Sequence, residues 1–222
     1  MQRYDIINWL IEKYGYRRYL EIGTAKRECF DKIACEYMAG TDPEQYFDVI
    51  RHNNLWIWNL TSDKMFETYG GRSSFMFDII FIDGDHHEAQ VIKDIHNSLK
   101  HLSEGGTIVV HDCNPPLANC ATKEPRVFVR YGDTPEYSLW NGTTWQAYVH
   151  TRLFNREVTS RCVDADWGCG IIQRGPWIPW DGELGDEATF RQRFNYDVFA
   201  ERRGEYLNLI TPKQFKEIYH GR

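Results

Sequence analysis

Two nearly continuous apolar runs, FDIIFID at residues 77–83 and GGTIVVHD at 105–112, bracket one amphipathic segment, HEAQVIKDIHNSLKHL. Such runs belong to strands buried on both faces, as in parallel sheets covered by helices. The segment between them has the apolar spacing of a helix. Strand, helix and strand in this order make a right-handed βαβ unit, which restricts the chain to an α/β fold with a doubly wound sheet.

The rest of the first half extends the pattern. Ile6, Ile7, Leu10 and Ile11 form a helical stripe that Gly15 is placed to end. RRYLEIG reads as a buried strand, followed by a helical stretch around Cys29 to Cys35. EYMAGTD and LWIWNLT read as two more strands, and SDKMFETYG as a short helix capped by Ser62 or Asp63. From Cys113 to Gly142 proline, glycine and asparagine predict a long loop, and loops of that length in a compact domain are usually functional. TTWQAYVHTRLF predicts a helix, and REVTSRCV with GCGIIQR an antiparallel pair closing the sheet. The expected division is one α/β domain over 1–175, with a helical extension over 176–222 packed on it. Its helices are expected on the outside, near Glu187 to Arg203 and Pro212 to His220.

At 222 residues, the chain has room for one such domain and not for two large ones. A net charge of -6 argues against a protein whose main task is gripping nucleic acid phosphates. Six cysteines without a CxxC pair read as reduced thiols, most of them buried. With neither a secretory signal nor a membrane-spanning run in the sequence, the expected location is the cytoplasm. A homo-oligomer is compatible with everything above.

Two groups of residues carry the chemistry. In an open α/β sheet, ligands bind beyond the carboxyl ends of the strands. There Gly23 permits close backbone approach, Asp42 suits two ribose hydroxyls, and Glu21 is placed to orient the cationic end of a sulfonium cofactor. Read blandly, the same residues are a strand, a turn glycine and a turn aspartate. The loop lacks the GxGxxG of dinucleotide enzymes, which disfavours a nicotinamide dehydrogenase.

The second group lies at two neighbouring strand ends, Asp83-Gly84-Asp85-His86-His87 and His111-Asp112-Cys113. Adjacent strands run about 5 Å apart, so Asp83 and Asp112 converge. A carboxylate pair suits magnesium, and His86 is placed as general base. Side chains alternate along a strand, so Asp112 is expected inside and His111 beside it. Turn-forming residues are the bland reading, and a zinc site from His86, His111 and Cys113 is a further one. Trp140, Trp145, Trp167 and Trp177 are either sugar-stacking rings or core aromatics.

YLEIGT, GTDPE, TSDKMF, FDIIFIDGDHHEAQVIKDI, LKHLSEGGTIVVHDCNPP, WNGTTW and DADWGCGII together resemble small class I S-adenosylmethionine-dependent methyltransferases of polysaccharide and secondary-metabolite glycan synthesis. The resemblance runs from about residue 5 to residue 175. It implies a seven-stranded sheet with its last strands antiparallel. It also implies cofactor contacts at Glu21, Gly23, Thr24, Asp42 and Asp83, with Ser62 and Asp63 around the adenine. The DGxH element is similar to that of metal-dependent macrolide-sugar O-methyltransferases, which implies magnesium on Asp83 and Asp112 and His86 as base. Relatives usually carry a further glycine where this chain has Lys26, Arg27 or Glu28, and the macrolide enzymes an acidic pair where it has His111 before Asp112. The implied activity is O-methylation of a sugar or glycan hydroxyl. A phenolic acceptor, or a non-catalytic module binding a nucleotide or glycan, are the other readings.

Overall fold

A computed structural model describes residues 1–44, 50–52, 54–125, 140–180 and 186–221. The first helix, α1 (Arg3–Tyr14), buries the expected stripe, and Gly15 ends it in the left-handed conformation at φ 68°. It leads into β1 (Arg18–Ile22), β2 (Tyr37–Thr41), β3 (Ile50–His52) and β4 (Leu55–Trp58). Then come α2 (Ser62–Tyr69), β5 (Phe77–Ile82), α3 (Glu88–Lys100), β6 (Leu102–Val110), α4 (Thr144–Phe154), β7 (Val158–Val163) and β8 (Cys169–Arg174). The tail adds α5 (Glu187–Arg193), α6 (Tyr196–Glu201), α7 (Arg203–Leu207), β9 (Leu209–Ile210) and α8 (Pro212–Ile218).

The strands form one sheet of order β3-β4-β2-β1-β5-β6-β8-β7-β9. From β4 to β6 every pairing is parallel, and β8 returns antiparallel between β6 and β7. Removing the two short edge strands leaves the expected seven. The edge strands come from an antiparallel return before β4 and from a parallel two-residue pairing of the tail with β7. β1 lies between β2 and β5, so the crossovers leave it in opposite directions, and a crevice opens beyond its carboxyl end. Ile79, Ile80, Phe81, Ile108, Val109 and Val110 are fully buried, as the apolar runs required.

Local chemistry redirects three elements. Only a three-residue 3-10 turn, Phe30–Lys32, stands where a helix is expected around Cys29 to Cys35. Ala25 and Arg27 just before it have φ of 39° and 65°, values that interrupt a right-handed helix. The cap of α2 is Thr61, whose hydroxyl accepts from the Lys64 N–H, and not Ser62 or Asp63. The long tail helix is broken in three, because Asn195 caps a new helix and Asn208 ends α7 at φ 48°. The tail also enters the core instead of only covering it: Phe199, Leu207 and Phe215 are fully buried. All six cysteines are free, and only Cys35 among them is not buried. Among the described residues no helix is long and apolar enough to cross a membrane.

Candidate active site

Beyond the ends of β1, β2 and β5 lies a cavity of about 520 Å³, lined by Gly23, Asp42, Ser62, Asp63, Asp83 and His86 among others. Gly23 is there because nothing else fits. It sits at φ +90°, and a Cβ would fall 2.2 Å from the Asp83 carbonyl oxygen. Asp42 is braced by backbone, accepting from the Ala25 N–H at 2.8 Å and the Glu44 N–H at 2.9 Å. Each of its oxygens keeps a lone pair for a ligand hydroxyl. On the far wall the Gln90 amide donates to Ser62, Asp63 and Asp94. Burial raises Asp94 to about 6, against the hydrogen bonds from Ser62 and Gln90.

Glu21 and Thr24 line a second, smaller cavity of about 250 Å³, which shares Gly23 and Asp83 with the first and adds Arg3 and Lys26. Glu21 is 1% exposed and accepts from the Tyr19 hydroxyl. Burial raises its pKa to about 8, with the Tyr19 hydrogen bond opposing. The Thr24 hydroxyl is buried and has no partner. The expected cofactor residues are therefore brought to two adjoining cavities on either side of Gly23.

The second group converges more completely than alternation allows. β6 has ended by Val110, and Asp112 takes the left-handed conformation at φ 59°, so His111 and Asp112 both face the same point. His111 Nδ1 lies 3.2 Å from Asp83 Oδ1 and 3.0 Å from Asp112 Oδ2, which puts His111 at the centre rather than beside the site. His86 Nε2 is 3.5 Å from the same two oxygens. Its Nδ1 faces the Trp140 carbonyl at 3.2 Å, and its ring stacks on Trp140. Cys113 does not join a zinc set with these imidazoles, because its buried thiol points to the Val110 carbonyl at 3.3 Å.

Three participants escaped the sequence reading. Arg3, at the start of α1, donates from Nη1 to Asp83 Oδ2 at 2.7 Å. It also donates to Asp166 from its backbone N–H, Nε and Nη2. The Asn141 amide donates to Asp112 Oδ1 at 2.6 Å. Asp166 and Asn141 belong to DADWGCGII and WNGTTW, which already stood out as motifs; nothing local marks Arg3. Of the four tryptophans only Trp140 is at the site. Trp145 packs on Phe194 and Phe199, Trp177 bonds the Arg152 carbonyl, and Trp167 packs beside Cys120.

The cluster sets its own protonation. Burial penalises charge on Asp83, yet His111, His86 and Arg3 hold its carboxyl well below the usual carboxylate range. Burial likewise works against a charged His86, but Asp83 and Asp112 outweigh it and raise the imidazole to about 9. His111 is pushed well above its ordinary value by Asp112 and Asp83, again against burial.

Among the described residues, Asp83, His86 and Asp112 are the one group of ligating side chains whose donor atoms lie within 4.8 Å of one another. The donor types would serve a divalent ion. Arg3 and Asn141 donate to the outer oxygens of Asp83 and Asp112, while His86 Nε2 and His111 Nδ1 both face the inner pair, Asp83 Oδ1 and Asp112 Oδ2, between which such an ion would sit.

Strand order, switch point and crevice define the class I methyltransferase fold. Residues 21–113 match the family model of a methyltransferase domain. The chain resembles in structure a Staphylococcus aureus protein provisionally assigned as a caffeoyl-CoA O-methyltransferase (17% identity, TM-score 0.52, covering 78% of this chain and 82% of that one). It also resembles the O-methyltransferase TomG of Streptomyces achromogenes, solved with S-adenosylmethionine (15%, 0.52, 78% and 79%). A third likeness is to the SAH-bound Podospora anserina methyltransferase PaMTH1 (14%, 0.50, 75% and 76%). No curated protein sequence matches the chain.

Proposed function

We propose that the chain is an S-adenosylmethionine-dependent O-methyltransferase acting on a hydroxyl of a sugar or glycan. One observation carries the reading: the cavity beyond β1 and β2 opens directly onto His86 and Asp83. A methyl donor seated on Gly23 and Asp42 thus reaches the cluster of acid–base groups around Asp83 and His86. Asp42, Glu44, Asp63, Asp83 and Asp85 surround that cavity with carboxylates, which favours a sulfonium cation over a diphosphate. The cofactor's ammonium group finds Glu21, and its carboxylate finds Lys26, in the adjoining cavity. Ser62 and Asp63 take the adenine end.

Methyl transfer is an in-line displacement in which the acceptor oxygen attacks the methyl carbon and the sulfonium leaves as a thioether. Holding the three atoms in line supplies much of the acceleration. The acceptor's proton goes to His86 Nε2. The Trp140 carbonyl fixes the proton on Nδ1, so the free form presents its lone pair at Nε2, and Asp83 and Asp112 steady the imidazolium that forms. The half-buried Trp140 ring, with Asp85, His87 and Glu124 around it, offers the aromatic face and hydrogen-bonding rim that suit a polyol. A magnesium ion, expected on Asp83 and Asp112, would be held by those two carboxylates beside His86 and would orient the acceptor's oxygens there.

Calorimetric titration with S-adenosylmethionine and S-adenosylhomocysteine comes first, and absence of binding to both would end the proposal. An acceptor screen of nucleotide sugars and oligosaccharides against catechols follows; transfer to catechols alone would replace the sugar with a phenolic hydroxyl. His86→Gln is expected to retain cofactor binding and lose about 10²–10⁴-fold in transfer rate. With a base held near 9, the wild-type rate is expected to climb as pH rises towards 9 and then level. A flat profile would remove His86 from the role.

A further inference from the structure

We propose that the chain carries a second binding site, for a mononucleotide, on the part of the sheet face that α2 leaves bare. It lies away from the catalytic crevice and does not depend on what that crevice binds. The opening comes from a short crossover helix. α2 has 8 residues against 13 in α3, so it spans only about 12 Å. Its last residue, Tyr69, stacks on Trp58 at the end of β4, with ring centroids 4.9 Å apart. Trp56 lies two residues back on the same face of that strand. It is half-buried, and among the described residues no aromatic ring is paired with it. Register sets Ala39 of β2 beside it, a side chain too small to fill the space.

A cavity of about 510 Å³ results, walled by Trp56, Trp58, Tyr69 and Phe75 and flanked by Arg18 and Arg72. A smaller one of about 250 Å³ adjoins it and shares Arg18, Ala39, Trp56 and Phe77. Arg18 opens β1 and Phe77 opens β5, at the ends of these strands opposite to Gly23 and Asp83.

The charges indicate the occupant. In a chain of net charge -6 carboxylates are plentiful, and Arg17 holds Glu36 through both Nε and Nη2. Arg18, the next residue, has no such partner among the described residues. Its guanidinium lies over the Phe77 ring, 5.9 Å from the centroid, and donates to the Ser74 carbonyl. Asp78 nearby accepts the Arg18 backbone N–H instead. Arg72 is exposed and lies 4.9 Å from the Tyr69 centroid, again with no carboxylate among the described residues. Two guanidiniums left unpaired on one cavity suit a phosphate dianion, which each can grip through paired N–H groups. The open face of Trp56 suits a planar base. A nucleotide joins these two chemistries in one small molecule.

The test is calorimetric titration of the full-length protein with uridine and guanosine 5′-monophosphates, with S-adenosylhomocysteine present to fill the crevice. The nucleosides and inorganic phosphate are titrated separately. Wild type is expected to bind nucleotide about tenfold more tightly than either half alone. Arg72→Gln, at an exposed position, is expected to lose about tenfold in nucleotide affinity. Trp56→Leu should lose a similar factor, and neither change should alter S-adenosylhomocysteine affinity. Absence of saturable binding of both nucleotides at millimolar concentration would overturn the proposal. So would equal affinity for inorganic phosphate or for the nucleosides, or folded Arg72→Gln that binds nucleotide as wild type does. Should Trp56→Leu fail to fold by circular dichroism, Arg72→Gln decides alone. Failure of S-adenosylhomocysteine to bind wild type would strike the methyltransferase reading instead, and Arg72→Gln would still assign the nucleotide.

Discussion

On the β1–β2 side of the crevice, buried polar groups are answered by backbone: Asp42 takes two amide hydrogens, and Gly23 lets β1 pass under the Asp83 carbonyl. On the β5–β6 side they are answered by one another, with Arg3, Asp83, Asp112, Asp166, His86 and His111 drawn from four separate segments. The first side is fixed by chain geometry and tolerates charge better than volume. The second is fixed by charge balance and tolerates volume better than the loss of one charge. Both stand on the same sheet edge, so the difference comes from how far apart in sequence the partners lie.

The largest effect should fall on the first side. Gly23→Ala would place a methyl 2.2 Å from a carbonyl oxygen at a φ side chains avoid, and is expected to cost about 4 kcal/mol or more. Chemical denaturation with cofactor titration checks it; a stable variant that still binds S-adenosylmethionine would break the contrast.

Next, Asp166→Asn keeps shape and removes one charge from Arg3 and His111. Asp166 is 5% exposed but Arg3 is 27% exposed, so solvent takes part of the effect, and about 2 kcal/mol is expected. A shift in the denaturant midpoint measures it, and a neutral result would mean that the cluster does not depend on its balance.

The smallest effect is a pH dependence on the first side. Glu21 titrates near 8 in the folded chain, above its unfolded value, so the stability it contributes is fully present at low pH and is lost as pH rises through 8. Pairing with a ligand ammonium reverses the sign for binding: affinity for S-adenosylmethionine should strengthen as pH rises towards 8. Glu21→Gln should flatten that slope, and a slope that persists in the variant would assign it to another group.

The same contrast decides what the sequence revealed. Apolar runs and turn residues are local, so β1, β5, α3 and β6 are legible, as are Gly23 and Asp42. Asp83, His86 and Asp112 are legible too, because adjacent strands bring their ends together by construction. Arg3 is not, since its partner in β5's turn is 80 positions away and an arginine opening a helix reads as an exposed residue. His111 was misjudged because strand alternation was carried one residue past the true end of β6 at Val110. The expected helix after β1 failed for the left-handed Ala25 and Arg27, which nothing but a backbone trace reveals. In the loop before α4, positions 126–139 lie outside the described residues, so the functional loop expected from Cys113 to Gly142 stays there a matter of sequence.

The carboxylates around the main cavity bear on turnover as well as recognition. A sulfonium entering among Asp42, Asp63, Asp83 and Asp85 carries a positive charge, and the thioether left behind has lost it. The walls that hold the reactant therefore loosen their grip once the methyl has gone. On the proposed function, loss of the sulfonium charge would remove the attraction that filled the cavity, so release of the spent cofactor would follow from the reaction's own change of charge.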